Sequence, residues 1–329
     1  MTYTCIKLFI LKLFAMAICA LIKRATDLAV QGGEEVRGPP KSYKSHREMT
    51  PMRVLVTGAS SVLGATLADE LIRSGHEVHA VGEGPFRGKE KPASYAQVEV
   101  QDLHHVDTKL DRIYHLALSS DALHPVETAL KNSLGTLNLL RVANVKRARM
   151  LLVTDSEFMQ GYTIPWDGGA AIVETSFLFA EGLCAAYAEE KGVDARIARV
   201  CDVYGPGYGK IAEVVKAIAR GEEVRLINSD VYPVELEDAV KALIALMESA
   251  GEGLKGRPID ICGERTDLES VAKLAKRLLN SPSKIYSEKK IKRVYRPDPS
   301  LASDLLGWSP KWDLGAGIAA VARGEGESR

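Results

Sequence analysis

Two periods alternate along the chain from Arg53 onward. Short apolar runs rich in Val, Ile and Leu recur, and between them lie longer stretches with apolar residues at helical spacing. Residues 53–57 (RVLVT), 77–81, 97–100, 112–116, 150–154 and 195–200 read as strands. Residues 62–74, 126–145 and 173–191 read as helices, the second carrying Leu130, Leu134, Leu137 and Val142 near helical spacing. Apolar strands separated by helices predict a parallel sheet covered on both faces. The expected fold class is therefore α/β, a Rossmann-type doubly wound parallel sheet. After Gly205 the order becomes mixed. Helices are expected at 210–220, 237–249 and 268–279, interleaved with short strands near Val224, Val234 and Ile259. That predicts a smaller mixed α/β C-terminal lobe over the carboxyl edge of the sheet, where ligands bind in this architecture.

The first 51 residues break this pattern. Residues 8–22 (LFILKLFAMAICALI) are almost wholly apolar and flanked by Lys7, Lys23 and Arg24. A membrane span needs roughly 20 such residues, so this run suits a signal-peptide core or a short peripheral anchor. Residues 31–51 are rich in Gly, Pro, Ser and charge and read as a linker. Because Met52 opens the first strand directly, the favoured expectation is that residues 1–51 are a wrongly extended reading frame, with membrane contact only if residues 8–22 are real. The expected division is residues 1–51 as an extension, 52–208 as the dinucleotide-binding domain and 209–329 as the substrate lobe.

Composition narrows the function classes. The chain of 329 residues is 46% hydrophobic and 26% charged, ordinary for a soluble globular protein. Its formal net charge of +0 gives no basic face, so nucleic acid is not an expected partner. Cys5, Cys19, Cys184, Cys201 and Cys262 show no paired spacing, so neither a zinc site nor a disulfide framework is expected. No metal site is expected from the histidines either. A reducing cytoplasm fits best. Scarce Asn and Gln beside abundant Lys, Arg and Glu lean toward a thermophilic source.

Strand one runs into Gly58-Ala59-Ser60-Ser61-Val62-Leu63-Gly64, and a helix begins at once. Gly58 permits a tight turn, and Gly64 lets helix and strand pack closely. The amides that open the helix, with its positive dipole end, suit a diphosphate. The central glycine is replaced by Ser61, or by Val62 in the alternative spacing; the Ser61 hydroxyl offers a bond to the diphosphate. The competing reading is a tight turn without ligand. An acid that reads the adenine ribose belongs at the end of strand two, where Gly82 stands and Glu83 follows. Glu83 favours NAD; Arg87 would meet a 2′-phosphate, which leaves NADP open.

These residues resemble the extended short-chain dehydrogenase/reductase family, in its NAD-dependent nucleotide-sugar epimerase/dehydratase branch. The motifs are VLVTGASSVLG (54–64), Asp102, YHLAL (114–118), NSLGTLNLL (132–140), LLVTDSEFMQG (151–161), RVCDVYGPG (199–207), VELEDAVKAL (234–243) and LGWSPKW (306–312). The resemblance implies a bound nicotinamide dinucleotide and a nucleotide sugar. It implies cofactor contacts from Gly58, Ser60, Ser61, Val62, Leu63, Gly64, Glu83, Asp102, Leu103, Leu116, Ala117 and Thr154, with Asn132 behind the active site. Ser156 falls on the family's catalytic Ser/Thr, and Glu157 is a second candidate because related dehydratases place an acid there. Asp202 and Arg296 are implied to hold the substrate. The family's dimer, built from two long helices of each subunit, implies a homodimer through residues 126–145 and 173–191, with Phe177, Phe179 and Leu183 on the interface.

The sequence departs from the family at its acid–base pair. The Tyr-x-x-x-Lys positions hold Val173 and Phe177, and neither can move a proton. The string Tyr187 to Lys191 lies at the far end of the same helix and reads as chance spacing. Gln160 and Val231 also replace family residues, and Asp202 stands where the family has Asn. Asp155, Glu157 and Tyr162 are neighbouring groups able in principle to serve as base. Two expectations result: an enzyme with a substituted base, or an inactive relative that binds a dinucleotide or sugar nucleotide as sensor or scaffold.

Overall fold

The structure, a computed structural model, describes residues 50–103, 106, 108–156, 169–291 and 295–324. Glu157, Gln160 and Tyr162 lie outside the described residues, as do residues 1–49.

Parallel strands form the main sheet: β1 (Arg53–Thr57), β2 (Glu77–Gly82), β3 (Ser94–Gln97), β4 (Arg112–His115), β5 (Arg149–Asp155), β6 (Ala195–Val200) and β10 (Pro258–Ile261). Their spatial order is β10-β6-β5-β4-β1-β2-β3, and every pairing is parallel. The order reverses between β1 and β4, which opens a crevice at their carboxyl ends.

Helices cover both faces because the strands are apolar on both. Helix α1 (Val62–Arg73) and helix α5 (Leu236–Glu248) pack on one face around Val54, Val56, Leu67 and Leu243. Helices α2 (Pro125–Lys146) and α3 (Gly169–Lys191) cover the other; Leu55, Ile113, Leu139 and Leu152 are buried there. Each fully buried aliphatic side chain contributes about 1.5–3 kcal/mol relative to exposure. The smaller lobe has its own core of Ile211, Val215, Val271 and Ile318. It joins helices α4 (Lys210–Ala219), α6 (Leu268–Leu278) and α8 (Leu314–Gly324) to a mixed sheet of β8 (Val224–Val231), β11 (Thr266–Asp267) and β12 (Ile285–Ile291). A parallel pair of β7 (Val203–Tyr204) and β9 (Val234–Glu235) lies between β6 and α5 in the chain. Helix α7 (Ser300–Leu306) ends on Gly307 in the left-handed region.

Three differences from the sequence expectations have physical reasons. Strand β3 ends at Gln97, and residues 100–102 form a single 3₁₀ turn, because Val100 is needed as a buried plug against Gly135 of α2. The strand around Ile259 extends the main sheet beyond β6 instead of serving the smaller lobe, and α5 also covers the main sheet. Residues beyond 208 thus complete the larger layer. Finally, the expectation of no disulfide is overturned: Cys201 and Cys262 are bonded, with Cα atoms 5.0 Å apart at the carboxyl ends of β6 and β10.

Candidate functional site

The crevice at the switch point is built from three backbone approaches. Gly58 has φ +76°, and a Cβ there would lie 2.6 Å from the Leu116 carbonyl oxygen. A Cβ on Gly64 would strike the Gly58 carbonyl, so α1 starts hard against the loop. Gly82 stands at the position expected for an acid, and a Cβ there would lie 2.8 Å from the Ser60 amide nitrogen. Glycine at 82 is therefore a packing requirement of this loop.

Ser61 replaces the central glycine without straining the turn, at φ −83° and ψ 159°. Its hydroxyl accepts from the Gly64 amide at 3.0 Å and donates to the Gly58 carbonyl at 2.8 Å. It is thus the N-cap of α1, which corrects the expectation that this hydroxyl bonds the diphosphate. The early amides of α1, including those of Val62 and Leu63, have no acceptor within their own helix. They and the helix dipole form the anion cradle.

Of the expected cofactor contacts, Gly58, Ser60, Ser61, Glu83, Leu116 and Ala117 line this crevice, together with Gly82, Leu118 and Ser119. Glu83 is ion-paired with Lys131 at 3.1 Å, and Lys131 also reaches Glu99 at 3.3 Å. Asn132 fixes the loop after β4: its Oδ1 accepts from the Ser119 amide and its Nδ2 donates to the Ser119 carbonyl and the Ser176 hydroxyl. Under the floor, His115 is fully buried between the hydroxyls of Thr57 and Thr136. Burial depresses its pKa to about 3, so the ring is neutral.

Other expected residues stand elsewhere. Val62 and Leu63 bring only their amides to the cradle, since the Leu63 side chain is in the core and that of Val62 packs against it. Leu103 packs against the core on the opposite face, and Asp102 is exposed in the 3₁₀ turn. Thr154 spends its hydroxyl on Glu181 at 2.9 Å. Asp202 turns into the smaller lobe, where it accepts from the Tyr232 amide at 2.8 Å and pairs with Lys210 at 3.1 Å. Arg296 is exposed beside Tyr295.

Ser156, just past β5, is fully buried, and among the described residues its Oγ has no hydrogen-bond partner. An unmet buried hydroxyl is costly, roughly 1–3 kcal/mol, and is what a site awaiting a polar ligand group presents. Val173 and Phe177, the residues expected at the family's acid–base positions, are buried together with Leu118, Leu178 and Tyr295 packed against them. Leu118 also lines the crevice, so this apolar cluster adjoins it through that residue.

Behind the cluster lies a charged network that sequence reasoning missed. Arg199 of β6 makes a two-pronged pair with Glu181 of α3, at 2.6 and 2.9 Å. Burial alone would lower the Arg199 pKa; Glu181 overrides this and raises it, so the guanidinium stays charged. Arg199 also donates to the Tyr295 hydroxyl at 3.0 Å. Tyr295 in turn donates to Asp260 of β10 at 2.6 Å, and the second oxygen of Asp260 accepts from the Asp298 amide. Burial pushes both Tyr295 and Asp260 above their ordinary pKa values. No spacing signal joins residues 199, 260 and 295; only the arrival of β10 beside β6 does.

A doubly wound sheet with a glycine-built anion cradle at its switch point defines a dinucleotide-binding enzyme fold, and the comparisons narrow it. Residues 54–262 match the NAD dependent epimerase/dehydratase family, and the chain belongs to that family. NAD is accordingly its cofactor, and the glycine cradle and open crevice fit that group. UDP-glucuronic acid decarboxylase 1 of Xenopus tropicalis is 29% identical, the match covering 85% of this chain and 73% of that protein. UDP-glucuronic acid decarboxylase 3 of Arabidopsis thaliana is also 29% identical, over 81% of this chain and 87% of that protein. Among solved structures, UDP-glucose 4-epimerase of Thermotoga maritima with UDP-glucose superposes at TM-score 0.73 with 21% identity, covering 84% of this chain and 99% of that one. WbmF of Bordetella bronchiseptica with NAD+ also gives 0.73, at 19% identity, over 86% and 94% of the two chains.

Proposed function

We propose that this chain is an NAD-dependent enzyme acting on a UDP-linked sugar, with a UDP-uronate as the first substrate to try. The observation that carries the reading is the pairing of the glycine-built cradle at Gly58, Gly64 and Gly82 with the orphaned Ser156 hydroxyl at the same sheet edge. The relatives named as UDP-glucuronic acid decarboxylases and the neighbour holding UDP-glucose support the choice of sugar nucleotide. The α1 amides would hold the cofactor diphosphate, and Glu83, steadied by Lys131, would meet the adenine ribose. When bound, NAD supplies a hydride acceptor. Ser156 would orient the sugar hydroxyl that is oxidised, and the apolar cluster of Val173, Phe177 and Leu118 would keep water from it.

The same reading makes the protein a cytoplasmic homodimer. Helix α2 leaves Val126, Leu130 and Leu134 exposed in one stripe, and Ile172 of the adjacent α3 is exposed too. Phe177 is not part of that surface, since it is 3% exposed and packs with Val173.

The test is calorimetry with NAD and NADP, mass spectrometry of any nucleotide that co-purifies, and proton NMR of incubations with UDP-glucuronate, UDP-glucose and UDP-galactose. NAD binding with conversion of one UDP-sugar is expected. No heat with either dinucleotide would end the reading. Binding of NAD and UDP-sugar with none converted would replace it with the sensor or scaffold alternative.

A further inference from the structure

The sheet edge beyond the crevice holds more acid–base chemistry than folding requires. Glu181, Arg199, Asp260 and Tyr295 form one connected chain of bonds, and Glu181, Asp260 and Arg199 are all largely withdrawn from water. Tyr295 comes from the segment before α7, yet it packs on the Val173–Phe177 cluster, which adjoins the crevice through Leu118. Arg199 also lies over that ring, 5.2 Å from its centre. Ser156, with its unmet hydroxyl, follows Thr154 by two residues, and Thr154 holds the Glu181 end of the network. A proton-handling phenol and an unsatisfied hydroxyl are thus gathered on one side of the sheet edge.

We propose that Tyr295 and Asp260 form the proton-accepting pair of this active site, Tyr295 meeting the sugar hydroxyl and Asp260 taking the proton. The inference rests on the reading above, that a sugar carbinol is oxidised with NAD as the hydride acceptor. A phenol oxygen can donate one bond and accept two. Tyr295 donates to Asp260 and accepts from Arg199, which leaves one acceptor position for the substrate hydroxyl. As the carbinol becomes a ketone, its O–H bond breaks and the proton passes to Tyr295 Oη. The proton that Tyr295 carried passes to Asp260 Oδ1, so a carboxylate and an alcohol proton become a carboxylic acid. The hydride's two electrons leave with the cofactor, and charge balances.

The division of labour follows from the surroundings. A phenol raised by burial and by a neighbouring carboxylate is protonated at rest, so Tyr295 cannot be the base by itself. Asp260 is also raised by burial, which makes it a better proton acceptor than an exposed carboxylate. Arg199, fixed by Glu181, steadies negative charge on the phenol oxygen during transfer. Arg199 and Glu181 are positioning residues; Tyr295 is the one that touches substrate.

The test uses the full chain with Tyr295→Phe and Asp260→Asn, each checked for wild-type circular dichroism and NAD affinity. With the UDP-sugar that wild type converts, Tyr295→Phe is expected to lower kcat at least 100-fold with KM changed less than threefold. Single-turnover absorbance at 340 nm should fall alongside. Without any ligand, tyrosinate absorbance near 295 nm should show one late-titrating phenol fewer in Tyr295→Phe than in wild type, where Tyr95, Tyr204 and Tyr208 are raised as well, and one phenol shifted to lower pH in Asp260→Asn. Tyr295→Phe with wild-type kcat overturns the assignment, as does an Asp260→Asn titration that matches wild type. A wild type that binds NAD and UDP-sugar yet never develops absorbance at 340 nm overturns it too, leaving the binding reading intact. Absence of NAD binding sinks both.

Discussion

Ser61 stands where a glycine is usual, and its hydroxyl explains why the loop still closes: it replaces conformational freedom with a cap. The two kinds of loop position should respond differently to substitution. Gly58→Ala puts a Cβ on a left-handed residue 2.6 Å from the Leu116 carbonyl, at a cost of about 1–2 kcal/mol for the backbone alone. Calorimetry should find NAD affinity lowered at least tenfold. Ser61→Gly should cost only a few tenths of a kcal/mol, roughly, since glycine is tolerated at an N-cap, and NAD should bind as well as before or better. Equal damage from both changes would show that the cap and the cradle are not separate. His115 gives a second residue-scale prediction. Its folded pKa, near 3, lies below the ordinary 6.5, so between those values only the unfolded chain takes up the proton. Stability should therefore fall as pH drops below 6.5, by about 2 kcal/mol at pH 5 from this group alone. Urea unfolding of wild type and His115→Asn at pH 7.5 and pH 5 should show a shallower loss in the variant. The loop residues were legible in sequence because strand, glycines and helix are contiguous. The neutral histidine was not, because nothing local to YHLAL says that Thr57 and Thr136 will enclose it.

Elements were legible in proportion to how local their signal is. Strands β1, β5 and β6 and helices α1, α2 and α3 follow directly from apolar runs and helical spacing, since burial on two faces writes itself into composition. Strand β12 escapes that logic. It is rich in lysine, exposes Tyr286, and among the described residues pairs only with β8, as an edge strand, and charge on an edge suppresses the apolar pattern that marks a strand. Strand β10 was visible, but its place beside β6 was not, and that placement carries Asp260 to the Arg199–Tyr295 network and Cys262 to Cys201. The Cys201–Cys262 bond closes a loop of sequence separation 61, for which the chain-entropy estimate is about 4 kcal/mol. Intact-mass measurement after alkylation under denaturing, non-reducing conditions should find these two thiols protected. Cys201→Ser with Cys262→Ser should lower Tm by several degrees, a drop matched by adding reductant to wild type. Free, alkylatable thiols at both positions in freshly purified protein would contradict the bond.

At the scale of the whole molecule, the outer surface of α2 is the feature that folding of one chain leaves unexplained. Val126, Leu130 and Leu134 are 59%, 55% and 46% exposed and spaced four residues apart, so they share one stripe. Their neighbours on the inner face, Asn132, Thr136 and Leu139, are fully buried. A helix apolar on its outer stripe as well as its inner one has two partners to satisfy, the sheet and something else. A second copy of the chain is the economical partner, because a two-fold axis would bring the same stripe from each subunit together and hide both. Helix α3, although long and apolar enough by composition to cross a membrane, buries Val173, Phe177, Ala180 and Cys184 in the protein. Part of its apolarity is thereby accounted for, with Ile172 left exposed beside the outer α2 stripe. Light scattering should give a dimer at micromolar concentration. Leu130→Glu with Leu134→Glu should convert it to a monomer, because two like charges per subunit would then meet across the axis. Neither residue touches the crevice or the Tyr295 network, so NAD affinity should survive the change. A wild type that is monomeric at every concentration, or a double variant still dimeric, would require another role for the stripe.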